Sequence, residues 1–215
     1  MTNKQLEKAK EVWKLIGPVL LKKYKRDKNF LDYTNPFELL IAVILSAQTT
    51  DEGVNKITPM LFAKYGTPEK MAKAKIEDLQ MLVQKVNYNR VKAGYIQKTA
   101  KTLSESFGGK VPLDVEQLQT LSGVGRKTAI AVMTNLSDTP YGIPVDTHVL
   151  RFVKRFNLTK NTDPNKVEQD LLQIIPKKDW KRAGYATKEY GRKEGKARPY
   201  KPELDPLMDV YKKMR

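Results

Sequence analysis

The sequence predicts an all-α fold. Apolar residues recur at i, i+3, i+4 and i+7 along most of the chain, the spacing that puts them on one face of a helix. Helix-start signals stand before these stretches, and no stretch alternates convincingly with period two. The chain therefore reads as about ten short helices joined by tight links. At 215 residues it is long enough for a well-buried core in one or two compact lobes.

The elements follow in order. Asn35-Pro36-x-Glu38 offers an N-cap, a proline at the first helical position and a capping-box partner. Phe37, Leu39, Leu40, Ile41, Val43, Ile44 and Leu45 then cover nearly every face, and a helix apolar all round belongs at the centre of its domain. Thr49-x-x-Glu52 reads as a second capping box, opening a helix with Val54, Ile57, Leu61 and Phe62 that Gly66 is placed to end. Thr67-Pro68 begins a short helix, and Ile76, Leu79, Leu82 and Val83 stripe another. Asp114-x-x-Gln117 caps the next. Val149, Phe152, Val153 and Phe156 mark one later helix, and Val167, Leu171 and Ile174 another.

Between two of these helices stands Leu121-Ser-Gly-Val-Gly-Arg-Lys-Thr-Ala129. Gly123 and Gly125 permit backbone angles closed to other residues and leave the turn's amides uncovered. With the positive end of the following helix, those amides form an anion site suited to gripping a phosphate without reading sequence. A plain helix–turn–helix joint would show the same turn. Lys127, however, falls in the first turn of the new helix, where the dipole disfavours an ammonium, and Arg126 adds like charge. If desolvated as well, its amine would be available as a nucleophile; a solvated surface lysine is the plainer reading. Asp146, in Val145-Asp-Thr-His-Val-Leu-Arg151, precedes a helical stripe and reads as an N-cap, which does not exclude chemistry for the same carboxylate.

Composition narrows the function. Forty Lys and Arg against 24 Asp and Glu give a formal charge of +16, which a polyanionic partner would use. Cysteine is absent, so disulfide and thiolate chemistry are excluded; with His148 the only histidine, a protein zinc site is not expected. No apolar leader follows Met1 and no run reaches membrane-spanning length, so the chain reads as soluble and cytoplasmic.

The pairing of LSGVGRKTA with VDTHVLR, nineteen residues from lysine to aspartate, resembles endonuclease III of the helix–hairpin–helix DNA glycosylase superfamily (HhH-GPD). LLIAVILSAQTTD (Leu39 to Asp51), NYNRVKAGYI (Asn87 to Ile96) and VPLDVEQLQTLSGVGRKTA extend the resemblance over roughly residues 25 to 195. It implies two helical lobes flanking a DNA-binding cleft: a helical barrel of residues 26–138, and a second lobe built from 1–25 and 139–215. It implies a base-excision glycosylase with AP-lyase activity, acting as a monomer on oxidised pyrimidines in duplex DNA. Lys127 matches the lysine that attacks C1′ and forms a Schiff base, and Asp146 the carboxylate that assists. Leu121, Gly123, Val124, Gly125 and Arg126 match the phosphate-holding hairpin, with a monovalent cation at the Leu121 and Val124 carbonyls. Gln48 matches the residue that enters the duplex as the base flips out, and Tyr88 falls in the wedge loop.

Two departures stand out. In the wedge loop Asn87 replaces a glycine and Asn89 an aromatic, which leaves open a uracil/thymine-mismatch or other-lesion specificity. An idle DNA-binding module using only the hairpin is the other alternative. At the C-terminus, the four positions that in most of the family hold cysteines on a [4Fe–4S] cluster are Gly195, Pro202, Asp205 and Tyr211. No such cluster, and no other cofactor, is expected. Leu204, Leu207, Met208, Val210 and Tyr211 are candidates to dock the tail by burial, and Arg192, Lys193, Lys196 and Arg198 to meet phosphates.

Overall fold

The structure, a computed structural model, describes residues 1–26, 29–137, 141–194 and 200–213. Among the described residues every regular element is helical: α1 (Asn3–Lys23), α2 (Pro36–Leu45), α3 (Asp51–Tyr65), α4 (Pro68–Ala72), α5 (Ile76–Leu82), α6 (Asn89–Ser106), α7 (Val115–Gln119), α8 (Arg126–Leu136), α9 (Thr147–Arg155), α10 (Pro164–Ile174), α11 (Trp180–Lys193) and α12 (Pro206–Lys212), with 3-10 turns at Lys177–Asp179 and Pro202–Leu204. The chain divides into two compact units. Met1–Lys28 and Thr139–Arg215 form one, and Asn29–Asp138 the other.

In the second of these, α2 is the axis. Asn35 accepts the Glu38 amide at 3.0 Å, and Pro36 occupies the first position. Glu38 does not close the expected capping box; its Oε2 accepts from the amide and hydroxyl of the preceding Thr34, at 2.7 and 2.8 Å. Every residue from Phe37 to Leu45 is buried, with α3, α6 and α8 packed around them. Burial of each large apolar side chain contributes about 1.5–3 kcal/mol. The cap of α3 is Thr50, which accepts from Gly53 N at 3.1 Å, one residue beyond the expected Thr49. Thr67 and Asp114 cap α4 and α7 as their patterns predict. Gly66 ends α3 because a Cβ there would meet the Phe62 carbonyl at 2.5 Å.

The unit built from both termini has α1 against α10, α11 and α12, and α9 against α11. The sequence patterns gave no sign of α1. Its Gly17-Pro18 pair reads as a break, since Pro18 cannot donate to the Lys14 carbonyl. A complete capping box at Thr2 and Gln5 and a buried face of Ala9, Val12, Trp13, Ile16 and Leu20 hold the helix through that loss. Gly17 is required by packing, as a Cβ would meet the Trp13 ring at 2.8 Å.

Candidate active site

The hairpin between α7 and α8 is built from apolar anchors inside and glycines outside. Leu118, Leu121 and Val124 are buried; Leu121 N bonds to Leu118 O and Val124 N to Leu121 O, both at 3.1 Å. Thr99, buried on α6, donates its hydroxyl to Ser122 O at 2.8 Å and ties the turn to the core. Gly123 has φ +77, and a Cβ there would lie 2.7 Å from the Tyr95 ring, so both backbone and packing demand glycine. Gly125 is different: its φ of −86 suits any residue, and open space surrounds it. What glycine supplies there is an uncovered approach to the start of α8, which has no side-chain cap. The Leu121 carbonyl, one of the two the resemblance assigns to a cation, has one lone pair on the Val124 amide and one left for an ion.

Lys127 is the second residue of α8, as expected, and it is exposed. In the other unit, Asp146 is the N-cap of α9, accepting from His148 N at 2.8 Å and Val149 N at 2.9 Å. Both bonds fall on Oδ1 and neither on Oδ2. His148 contacts Arg151, whose Nη2 lies 3.0 Å from Nδ1; a guanidinium only donates, so Nδ1 accepts. Burial lowers the His148 pKa, Arg151, Lys188 and Arg192 lower it further, and Asp146 opposes them. A Cβ on Gly191 would collide with this ring, which fixes the glycine of α11.

Gln48 and Tyr88 are both exposed, and both hold left-handed backbone, at φ 54 and 58. The lysine that is buried is a different one. Lys92, in the first turn of α6, is 4% exposed; its Nζ donates to Leu45 O at 2.7 Å, Ala47 O at 2.6 Å and Thr49 Oγ1 at 3.0 Å. All three ammonium protons are satisfied, at the negative end of α2. Burial pushes its pKa down to about 8. Asn87 completes the link, its Nδ2 donating to Gln48 O and its backbone N to Thr49 Oγ1 at 3.1 Å. Sequence reasoning missed both roles. Lys92 was visible only as the lysine of the wedge-loop motif, and Asn87 only as a departure from it.

The C-terminal positions do not fit an iron–sulfur cluster. The chain has no cysteine, and among the described residues no three acidic or histidine side chains are grouped to hold a metal. Asp205, 1% exposed, is instead the centre of a hydrogen-bonded hub. It accepts from the hydroxyls of Tyr190 and Tyr200, the latter at 2.6 Å, and caps α12 through the amides of Leu207 and Met208. Arg155 donates to Tyr190 Oη at 2.8 Å and stacks on the Tyr200 ring at 3.6 Å. Tyr211 accepts from Asn157 Nδ2 at 3.0 Å and packs edge-on against Phe156. Of the apolar residues expected to dock this tail, Leu207 and Tyr211 are buried and Met208 and Val210 half-buried; Leu204, at 66% exposure, is not used. Arg192 and Lys193 lie in the last turn of α11, where Lys193 pairs with Glu189 at 3.0 Å. Gly195, Lys196 and Arg198 lie outside the described residues.

Known proteins resemble the chain in sequence and in fold. Residues 41–177 match the model of the HhH-GPD superfamily base excision DNA repair protein. Endonuclease III of Synechocystis is 43% identical over 162 residues, 75% of this chain and 74% of that protein. Among solved structures, a non-covalent endonuclease III–DNA complex superposes with a TM-score of 0.86 at 36% identity, covering all of this chain and 98% of that one. A trapped endonuclease III–DNA covalent intermediate, the estranged-adenine complex, gives the same TM-score and identity with full coverage of both chains. The chain thus belongs to the endonuclease III family of the HhH-GPD superfamily.

Proposed function

We propose that this protein is a bifunctional base-excision-repair enzyme, a DNA glycosylase and AP lyase that acts on oxidised pyrimidines in duplex DNA. The observation that carries it is Lys127 in the first turn of a helix entered from an open glycine hairpin, in a chain alignable end to end with an endonuclease III trapped covalently on DNA. The Leu121–Gly125 hairpin and Arg126 hold backbone phosphate, and a monovalent cation on the Leu121 and Val124 carbonyls supplies further positive charge there. The extruded nucleotide presents C1′ to Lys127, and the covering duplex excludes water from an amine that the free protein leaves exposed. Attack by Nζ breaks the bond from C1′ to the base, which leaves with a proton. Opening of the sugar ring yields the imine. Loss of a C2′ proton then expels the 3′ phosphate by β-elimination, and water hydrolyses the imine to return the free lysine. Asp146 stabilises the positive charge that develops on the sugar.

The enzyme works without an iron–sulfur cluster, a reading supported by the absence of cysteine and by the use of the Asp205 carboxylate as a hydrogen-bond centre. Arg192, Lys193, Lys196 and Arg198 add phosphate contacts.

Base release from a panel of duplexes with one lesion each tests the specificity. An oxidised pyrimidine should be released fastest. Preference for uracil or thymine opposite guanine would overturn the substrate assignment, and release of no base would leave only a DNA-binding module.

A further inference from the structure

Two stretches that are far apart in sequence, Leu45–Thr50 at the end of α2 and Asn87–Lys92 at the start of α6, are fastened to each other through four side-chain hydrogen bonds. Lys92 gathers Leu45 O, Ala47 O and Thr49 Oγ1 around one ammonium, and Asn87 Nδ2 takes Gln48 O. The Asn87 amide adds a fifth bond, to Thr49 Oγ1. This fastening surrounds Gln48 and Tyr88, which among the described residues of the Asn29–Asp138 unit are the non-glycine residues with left-handed backbone. Left-handed backbone is strained for a residue with a Cβ, and a loop keeps two such residues only when its surroundings over-determine the conformation. A hydrogen-bonded, buried lysine is costly to assemble as well, and its three acceptors all belong to the Gln48 segment or the helix end that launches it.

We propose that Asn87 and Lys92 are positioning residues that lock Gln48 and Tyr88 into a single preformed wedge for base extrusion. The proposal rests on the glycosylase reading above. Neither residue touches the reacting atoms. They act by removing the ordering of the wedge from the cost of extrusion, because the loop meets the duplex already shaped. Asn87 is the specific part of the device: the family has glycine there, and glycine offers no Nδ2 for the Gln48 carbonyl.

The test compares a reaction that needs extrusion with one that does not. Base release from a lesion duplex, followed with 2-aminopurine fluorescence beside the lesion, requires the wedge. Strand cleavage of single-stranded DNA that carries an abasic site requires only Lys127 chemistry. Asn87→Ala removes one hydrogen bond without disturbing a buried group. It should slow the fluorescence change and duplex base release by roughly three- to tenfold, the range of one net hydrogen bond, and leave single-strand cleavage unchanged. Lys92→Arg, which keeps the charge, should be milder than Lys92→Met on the same ratio. If Asn87→Ala leaves extrusion at the wild-type rate, or slows both reactions equally, the wedge is not locked by these contacts and the proposal fails. Wild-type protein that releases no base from the lesion duplex and cleaves no abasic strand would defeat the glycosylase reading itself, and this proposal with it.

Discussion

At the scale of single residues, Asp146 and Lys92 show what a sequence carries and what it hides. A helix cap is local: the aspartate, the two amides it accepts and the stripe that follows lie within a few residues, so the role of Asp146 was legible. The Thr49–Thr50 pair shows how narrow that legibility is. Both can cap, and Thr50 does, because Thr49 Oγ1 is claimed by Lys92 and by the Asn87 amide from across the fold. The same non-locality hid Lys92. Sequence reasoning looked for a lysine with a perturbed amine and placed it at Lys127, on the dipole of α8. The structure buries Lys92 and exposes Lys127, since burial is decided by which helices pack together. Asp146 carries a prediction that separates capping from chemistry. Asp146→Asn keeps an oxygen for both cap bonds but removes the charge. Folding, followed by circular dichroism and thermal melting, should survive, while single-turnover base release should fall by ~10²-fold or more. Unchanged turnover would leave Asp146 as a cap alone.

At the scale of elements, helices announced by a cap and an apolar stripe were read from the sequence, α1 was not, and the C-terminal segment was read in part, with Leu207 and Tyr211 buried as expected and Leu204 exposed. α2 is apolar on all faces and central, as its pattern requires. α1 carries Gly17-Pro18 within it, and its contacts with α10, α11 and α12 show why a helix with an internal proline persists. α12 was expected to be held by apolar burial. It is held as much by the carboxylate of Asp205, whose partners Tyr190 and Tyr200 are in turn met by Arg155 of α9, a network that gives no local signal in the sequence. Asp205→Ala should therefore destabilise the protein by about 2–4 kcal/mol, since it leaves the buried Tyr190 hydroxyl and the half-buried Tyr200 hydroxyl short of an acceptor and α12 without its cap. Chemical denaturation measures this directly. A loss below about 0.5 kcal/mol would mean that Leu207 and Tyr211 alone dock the segment.

At the scale of the whole molecule, the charge of +16 and the two specific motifs point the same way. Each phosphate neutralised by a lysine or arginine releases about 0.9 of a counterion, so a basic chain of this kind gains affinity for DNA before any base is read. Charge explains attraction but not chemistry. In the proposed function the chemistry is assigned to Lys127, one lysine among many, by its place after the glycine hairpin. The two motifs behind that proposal were legible because each is short and contiguous. The contact between the Gln48 and Asn87 segments, made by an amide 39 positions away and flanked by the buried Lys92 ammonium, was legible only as two separate loops. The account stands or falls on which amine forms the covalent bond. Borohydride reduction of the protein on a duplex with an abasic site, followed by peptide mapping, should place the adduct on Lys127, and Lys127→Gln should bind the same duplex yet give no adduct. An adduct on Lys92, on the N-terminal amine or on any other lysine, or full trapping by Lys127→Gln, would contradict it.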